Sequence, residues 1–167
     1  MSRIMGEQNE IRVVNIRMVR EPSLFSETPV RTPQDVMKVI AEEMATYDRE
    51  VVGILNLKSN GQVINMNICS IGTLNASLVS ARETMKSAIL SNSAAFIVFH
   101  QHPSGNPEPS DDDKAVTEKL AKAGEILDIR MIDHIIIAGG SGEMYSFREH
   151  GLMDGITRGA RSEINER

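Results

Sequence analysis

The stretch AAFIVFHQHPSGNPEPSDDD, residues 94–113, combines an apolar run, a turn-rich loop and an acidic helix start. The apolar run is compatible with a buried strand, so His100 and His102 are expected at its end. Side chains at i and i+2 of a strand point to the same face, and both imidazoles can therefore reach one point. Asp113 returns toward that point from the next element. Two neutral imidazoles, one carboxylate and an open fourth position are typical of a catalytic zinc site.

Two simpler explanations of these residues stay open. The His-Gln-His run is equally compatible with a polar strand end that carries two of the four histidines of the chain. Ser110 and the acidic residues after it suit a helix N-terminus, where serine caps the backbone and carboxylates interact favourably with the helix dipole. Such a cap is compatible with a site, because it would hold Asp113 in the first turn. Asp111 and Asp112 are expected to be exposed to solvent.

The rest of the chain predicts further helices and strands around this stretch. The expected strands cover residues 11–19, 51–57, 62–69, 94–100, 132–138 and 143–147, and the expected helices cover 33–47, 81–91 and 110–127. This order predicts an α/β fold of three layers, with a mixed sheet between flanking helices. We expect an N-terminal strand and loop (residues 1–30), a central domain (31–153) and a polar, frayed C-terminal tail (154–167).

Composition excludes several classes of protein. A chain of 167 residues with 41% hydrophobic and 25% charged residues is expected to be globular, and it has no apolar stretch long enough to span a membrane. One cysteine, Cys69, permits no internal disulfide and suggests a reducing cytoplasm. The N-terminal residues show no secretory signal pattern. The net charge of −5 gives no basic surface for nucleic acid.

Other zinc signatures are missing. Cytidine deaminases carry H-x-E and a later P-C-x-x-C, whereas His102 stands two residues after His100 and no second cysteine exists. The H-E-x-x-H motif is also absent. A general base must come from elsewhere in the chain. Glu50 lies between the first helix and the strand at 51–57, where sequence alone favours a surface carboxylate at a helix end.

The spacing His100-x-His102-x7-Ser110-x2-Asp113 resembles the JAMM (MPN+) metalloprotease signature. Glu50 and the apolar residues after it resemble the glutamate segment of that superfamily. Within the superfamily the chain is most similar to RadC-type JAB domains over about residues 31–152. The segments that carry this likeness are His102-Pro103-Ser104-Gly105, Pro109-Ser110, Gly72-Thr73-Leu74-Asn75, and Leu127 through Asp133-His134-Ile135-Ile136.

The resemblance implies a cytidine-deaminase-like (JAB/MPN) fold with one zinc ion on His100, His102 and Asp113. By the same mapping, Glu50 is the general base that takes a proton from the zinc-bound water and passes it to the leaving amine. Ser110 would help to stabilise the tetrahedral oxyanion, and it can also cap the helix only if its hydroxyl rotates between the two roles. His134 matches a family position too, where we expect a buried supporting or packing role because the ligand set is already complete.

Two departures from the family pattern are visible. RadC-like proteins usually carry Asn between the two histidines, whereas this chain has Gln101, which is expected to point away from the metal. Full-length RadC proteins also have an N-terminal helix-hairpin-helix region. The roughly 30 residues before the first predicted helix are too few for that region together with the strand at 11–19. A DNA-directed role is therefore less supported.

Three functions are compatible with these residues. The first is a zinc-dependent peptidase or isopeptidase that acts on a peptide or a protein conjugate. The second is a non-catalytic RadC-like module that assists DNA repair or other nucleic-acid transactions, and the third is a zinc hydrolase of other acyl or amide substrates. The presence of Glu50 beside a complete ligand set favours a catalyst. Oligomeric state is not predicted, although the strand at 11–19 would be able to pair with another chain if it lies at an edge.

Overall fold

The computed structural model describes residues 28–72 and 79–165. Within these residues the chain forms four helices and five strands. In chain order they are α1 (Pro33–Met44), β1 (Val51–Leu57), β2 (Val63–Ile71), α2 (Ala81–Leu90), β3 (Ala95–His102), α3 (Asp111–Ile126), β4 (Arg130–Ala138), β5 (Met144–Ser146) and α4 (Leu152–Asn165). The strand expected at 11–19 and the family loop segment at 73–75 lie outside the described residues.

The five strands form one mixed sheet in the order β2-β1-β3-β4-β5. β3 and β4 are parallel, and the other neighbouring pairs are antiparallel. β3 is the central strand, and it carries the two histidines at its C-terminal end. The mixed sheet and the helices that pack against it confirm the predicted α/β fold.

Side chains of β3 alternate between two hydrophobic clusters, one on each face of the sheet. Ile97 and Phe99 pack in the cluster that contains Ile40 of α1. Phe96 and Val98 pack in the cluster that contains Leu120 of α3. Full burial of each such side chain is worth about 1.5–3 kcal/mol. This burial on both faces fixes β3, and with it the strand end that His100 and His102 occupy.

A glycine allows β1 to lie close to β3. Gly53 faces Phe99 in the antiparallel register between the two strands. A Cβ atom at position 53 would overlap Cζ of the Phe99 ring, far inside van der Waals contact. The absence of a side chain therefore lets the ring lie over β1, next to the segment that leads back to Glu50.

The C-terminal segment differs from the sequence-based expectation. The polar tail expected to be frayed from residue 154 is instead helix α4, which begins at Leu152. Met153 and Ala160 are buried, and Arg161 Nε forms an ion pair with Glu125 Oε2 of α3 at 3.1 Å. The prediction failed because only a few apolar residues, spaced along one side of this helix, contact the rest of the protein.

In the described part of the chain, no helix has the length and apolar content that a membrane span requires.

Candidate metal centre

His100 and His102 lie at the end of β3 with their imidazoles on the same side of the sheet. Their Nε2 atoms are 2.7 Å apart, as the spacing of two residues on a strand predicts. The His100 side chain is fully buried, whereas 15% of the His102 side chain is exposed. Backbone pairing of His100 with Val52 of β1 and Ile136 of β4 holds the strand end from both sides. One imidazole therefore faces the interior, and the other forms part of an opening to solvent.

Asp113 reaches the same point from the first turn of α3. Its Oδ1 lies 3.1 Å from His100 Nε2, and its Oδ2 lies 3.4 Å from His102 Nε2. Ser110 caps the helix as expected, since its hydroxyl accepts a hydrogen bond from the Asp113 backbone N–H at 3.1 Å. The Asp113 side chain is fully buried, while Asp111 and Asp112 are exposed as predicted. The first turn of α3 therefore both caps the helix and brings Asp113 to the histidines.

The spacing of these three side chains suits a metal ion. In a tetrahedral zinc site with bonds near 2.0–2.1 Å, neighbouring ligand atoms are about 3.3 Å apart. The two imidazole–carboxylate distances fall near this value, and the two Nε2 atoms would have to separate by about half an ångström. Asp113 Oδ1 is buried without a hydrogen-bond partner among the described residues. A buried carboxylate oxygen in that state is stabilised by a cation placed between it and the imidazoles.

Hydrogen bonding fixes the proton of His102 on Nδ1, the nitrogen that faces away from His100 and Asp113. His102 Nδ1 is 2.8 Å from the backbone carbonyl oxygen of Asn106. Because a carbonyl oxygen only accepts, Nδ1 must be the donor, and in the neutral ring Nε2 then carries a lone pair. This lone pair is directed to the side on which His100 and Asp113 lie. Neutral imidazole with a free nitrogen is the form of histidine that binds metals.

The pKa values of the buried pair favour the same forms. Burial lowers the pKa of His100, and contact with Asp113 offsets this only in part. Burial on its own raises the pKa of Asp113, but contact with His100 and the hydrogen bonds from Ser110 together bring it well below its usual range. At neutral pH the pair is therefore a neutral imidazole beside an ionised carboxylate. These are the protonation states that a divalent metal ion requires.

Glu50 lies beside the two histidines. A carboxylate oxygen of Glu50 and nitrogen atoms of both imidazoles are within 4.8 Å of one another. The backbone carbonyl of Glu50 accepts a hydrogen bond from Gly72 at 2.8 Å, which ties it to the end of β2. The prediction of a surface carboxylate at position 50 is wrong, because Glu50 is half-buried beside the two histidines. A carboxylate in this position is a candidate for a group that acts on the imidazoles' surroundings across one water molecule.

Gln101 supports the segment before Glu50. Its side chain points away from the imidazoles, as predicted, and its Nε2 donates to the Tyr47 carbonyl oxygen at 3.2 Å. Tyr47 lies in the turn that joins α1 to Glu50. Gln101 therefore lies on the face of β3 opposite to the two imidazoles.

Ser110 makes two hydrogen bonds to the Asp113 carboxylate. Its hydroxyl and its backbone N–H each donate to Asp113 Oδ2 at 2.6 Å. In this arrangement the hydroxyl proton orients a carboxylate, and the role of Ser110 as an oxyanion donor stays a prediction. Because the backbone N–H also serves Oδ2, the carboxylate oxygen keeps a donor when the hydroxyl rotates away.

Three further residues complete the surroundings of the centre. His134 is fully buried, and its Nε2 lies 2.7 Å from His100 Nδ1, on the side away from Asp113. This position agrees with the supporting or packing role expected for His134. Sequence reasoning missed Asn106 and Thr117. The spacing of four residues from Asp113 to Thr117 places both on one face of α3, and this was the available signal.

The chain is similar to known proteins over most of its length. A model of the RadC-like JAB domain family matches residues 30–152. A UPF0758 protein of Desulfitobacterium hafniense is 41% identical over 124 residues, which cover 74% of this chain and 54% of that protein. A UPF0758 protein of Moorella thermoacetica is 41% identical over 129 residues, covering 77% and 56%. One from Methanosarcina acetivorans is 40% identical over 139 residues, covering 81% and 60%. The chain thus spans a little over half the length of these relatives.

Proposed function

The chain belongs to the RadC-like JAB domain family, and from this premise we propose that it is a zinc-dependent peptidase or isopeptidase that hydrolyses an amide bond. The observation that carries the proposal is the convergence of two imidazole nitrogens and one carboxylate, with a second carboxylate within 4.8 Å of the imidazoles. A fold shared within a family does not by itself establish an activity. The proposal therefore rests on these side chains.

His100, His102 and Asp113 are the proposed ligands of one zinc ion per chain. Asp113 is preferred to Glu50 as the third ligand because its oxygens lie 3.1 and 3.4 Å from the two imidazole nitrogens. Zinc bound there would lower the pKa of a water ligand to about 7 and polarise a substrate carbonyl. The partial exposure of His102 leaves one side of the centre open to a substrate.

Glu50 is the proposed general base. Its carboxylate lies within 4.8 Å of the imidazole nitrogens. It would accept a proton from the attacking water and then pass that proton to the leaving amine. The hydrogen bonds from the Gly72 N–H to the Glu50 carbonyl and from Gln101 Nε2 to the Tyr47 carbonyl would help to hold the base in position. Such positioning is what makes proton transfer efficient.

Ser110 is the proposed donor to the tetrahedral oxyanion. Rotation of its hydroxyl away from Asp113 Oδ2 costs one hydrogen bond, while the backbone N–H of Ser110 continues to hold that oxygen. The substrate is proposed to be a peptide or a protein conjugate. We place the reaction in a reducing cytoplasm, because the single thiol of Cys69 is not used in an internal disulfide.

Glu50→Gln in the zinc-loaded full chain tests the proposal. The substitution keeps the size of the side chain but removes the base, so we expect zinc content to stay at about one per chain. Hydrolysis of peptides and of lysine-linked isopeptide conjugates should fall by about 10²–10⁴-fold. The matched control is Glu42→Gln, which changes an exposed glutamate of α1 and should leave the rate unchanged.

Three other results would change the proposal. Normal turnover by the Glu50→Gln variant would overturn the assignment of the base. Zinc-loaded wild-type protein that cleaves only esters would favour a hydrolase of other acyl substrates. Zinc-loaded protein that cleaves none of these peptides, isopeptide conjugates and esters would favour the non-catalytic module.

A further inference from the structure

A line of buried hydrogen bonds connects two of the proposed metal ligands, His100 and Asp113. His100 Nδ1 is 2.7 Å from His134 Nε2, and His134 Nδ1 is 2.6 Å from the hydroxyl oxygen of Thr117. The Thr117 hydroxyl in turn lies 2.6 Å from the backbone carbonyl oxygen of Asp113. His134 and Thr117 are both fully buried. The line therefore starts at one proposed ligand residue and ends at another, without contact with solvent at the two residues between them.

The direction of each hydrogen bond follows from the last acceptor in the line. The Asp113 carbonyl oxygen can only accept, and the Thr117 hydroxyl has a single proton to give. The hydroxyl therefore donates to the carbonyl, as threonine commonly does to the carbonyl four residues earlier in a helix. Toward His134 the Thr117 oxygen can then act only as an acceptor. His134 Nδ1 must carry a proton.

The same reasoning passes through His134 to His100. Full burial strongly disfavours a charged imidazolium without a paired anion, so His134 is neutral and its Nε2 is an acceptor. His100 Nδ1 then donates to His134 Nε2, which leaves a lone pair on His100 Nε2. That nitrogen is the one directed at Asp113 and His102. The ring of His134 is also stacked on Phe147, with centroids 4.9 Å apart and planes at 15°, which fixes its orientation.

We infer that Thr117 and His134 are positioning residues that hold His100 in the tautomer able to bind the metal ion. The inference rests on the proposed function, because it assigns a purpose to the His100 lone pair only if a metal binds there. A reversed line, with the Thr117 proton directed at His134, would place a proton on His100 Nε2 and block that nitrogen. The backbone carbonyl of Asp113 thus determines the state of a histidine on a different element.

The alternative is that Thr117 only satisfies a helix carbonyl and fills space. Thr84 of α2 provides a matched case, since it is also buried and its hydroxyl donates to the carbonyl of Ser80 at 3.0 Å, four residues earlier. Thr84→Val and Thr117→Val therefore remove the same kind of helix hydrogen bond. Only Thr117→Val also removes an acceptor for a histidine.

The experiment compares the wild-type chain with Thr117→Val, Thr117→Ser and Thr84→Val. Zinc affinity is measured by competition with a chromophoric chelator, and the His100 tautomer is measured in zinc-free protein by long-range ¹H–¹⁵N NMR. We expect Thr117→Val to weaken zinc binding about 10–100-fold, as loss of an outer partner of a metal ligand typically does. Thr117→Ser should restore the affinity, and Thr84→Val should leave it unchanged. The population of His100 protonated at Nδ1 should fall only in Thr117→Val.

The two readouts separate this inference from the proposed function. Wild-type protein that binds no zinc would refute the proposed metal site, whereas the tautomer measurement in zinc-free protein would still be decisive for the hydrogen-bond line. Wild-type protein with His100 protonated only at Nε2 would overturn the inference even if zinc binds. Equal zinc affinity of the wild type and a folded Thr117→Val variant would also overturn it. If Thr117→Val does not fold, the wild-type tautomer and the affinity of Thr117→Ser remain as tests.

Discussion

Two helices of this protein begin with the same local motif but have different surroundings. α1 begins after Thr32 and α3 begins after Ser110, and in both the capping hydroxyl accepts from the backbone N–H three residues later. In both, the carboxylate of that third residue returns to the backbone N–H of the cap, which completes a reciprocal capping box. The backbone chemistry of the two helix starts is therefore alike.

The surroundings of the two carboxylates differ. The Asp35 side chain is 28% exposed and lies 3.4 Å from Lys38 Nζ on the same helix. The Asp113 side chain is fully buried and faces two imidazoles of β3. A carboxylate in a capping box is a general structural device, and it becomes a candidate metal ligand only when the sheet brings histidines to it. Capping a helix and binding a metal ion are therefore separate functions of such a carboxylate.

The largest difference is expected between Asp113→Asn and Asp35→Asn. Both substitutions keep a side-chain oxygen that can accept from the cap N–H, but only the first removes a charged oxygen from the proposed centre. We expect Asp113→Asn to weaken zinc binding by more than the 10–100-fold typical of an outer partner, and Asp35→Asn to leave it unchanged. Titration with zinc in the presence of a competing chelator measures both. Equal zinc affinity in the two variants would show that α3, like α1, has a cap and nothing more.

A smaller difference is expected between Ser110→Ala and Thr32→Ala. Each removes the capping hydroxyl and should lower the free energy of unfolding by about 1 kcal/mol, measured by urea denaturation of the zinc-free protein. Only Ser110→Ala also removes a hydrogen bond at 2.6 Å from the Asp113 carboxylate. It should therefore reduce zinc affinity about tenfold, within the usual range for such partners. A loss of zinc affinity in Thr32→Ala of the same size would mean that the effect arises from general destabilisation.

The sequence predicted the elements whose local signals agree with their packing. Ser110 caps α3 as expected, and the period of two on β3 places His100 and His102 on one face. These features depend on neighbours within about four residues along the chain. Short-range geometry is sufficient to predict them.

Features that depend on tertiary contacts were not predicted. Helix α4 was expected to be a frayed tail because its few apolar contacts, such as those of Met153 and Ala160, are made with distant segments. Glu50 appeared from the residues alone to be a surface carboxylate, and it comes to the histidines only through pairing of β1 with β3. The hydrogen bond between the Thr117 hydroxyl and His134 also joins two distant elements, α3 and β4. Propensity and periodicity do not contain such long-range contacts.

A metal site formed by β3 and α3 together would bind zinc in a fixed ratio to the protein, so zinc stoichiometry is the decisive measurement. Elemental mass spectrometry of the purified full chain should find about one zinc ion per chain, and the His100→Ala/His102→Ala double variant should contain none. Gel filtration and circular dichroism of both proteins would establish that each is folded. Absence of zinc from the folded wild-type protein, even after zinc is supplied, would refute the metal site and leave Ser110 and Asp113 as a helix cap of the same kind as Thr32 and Asp35.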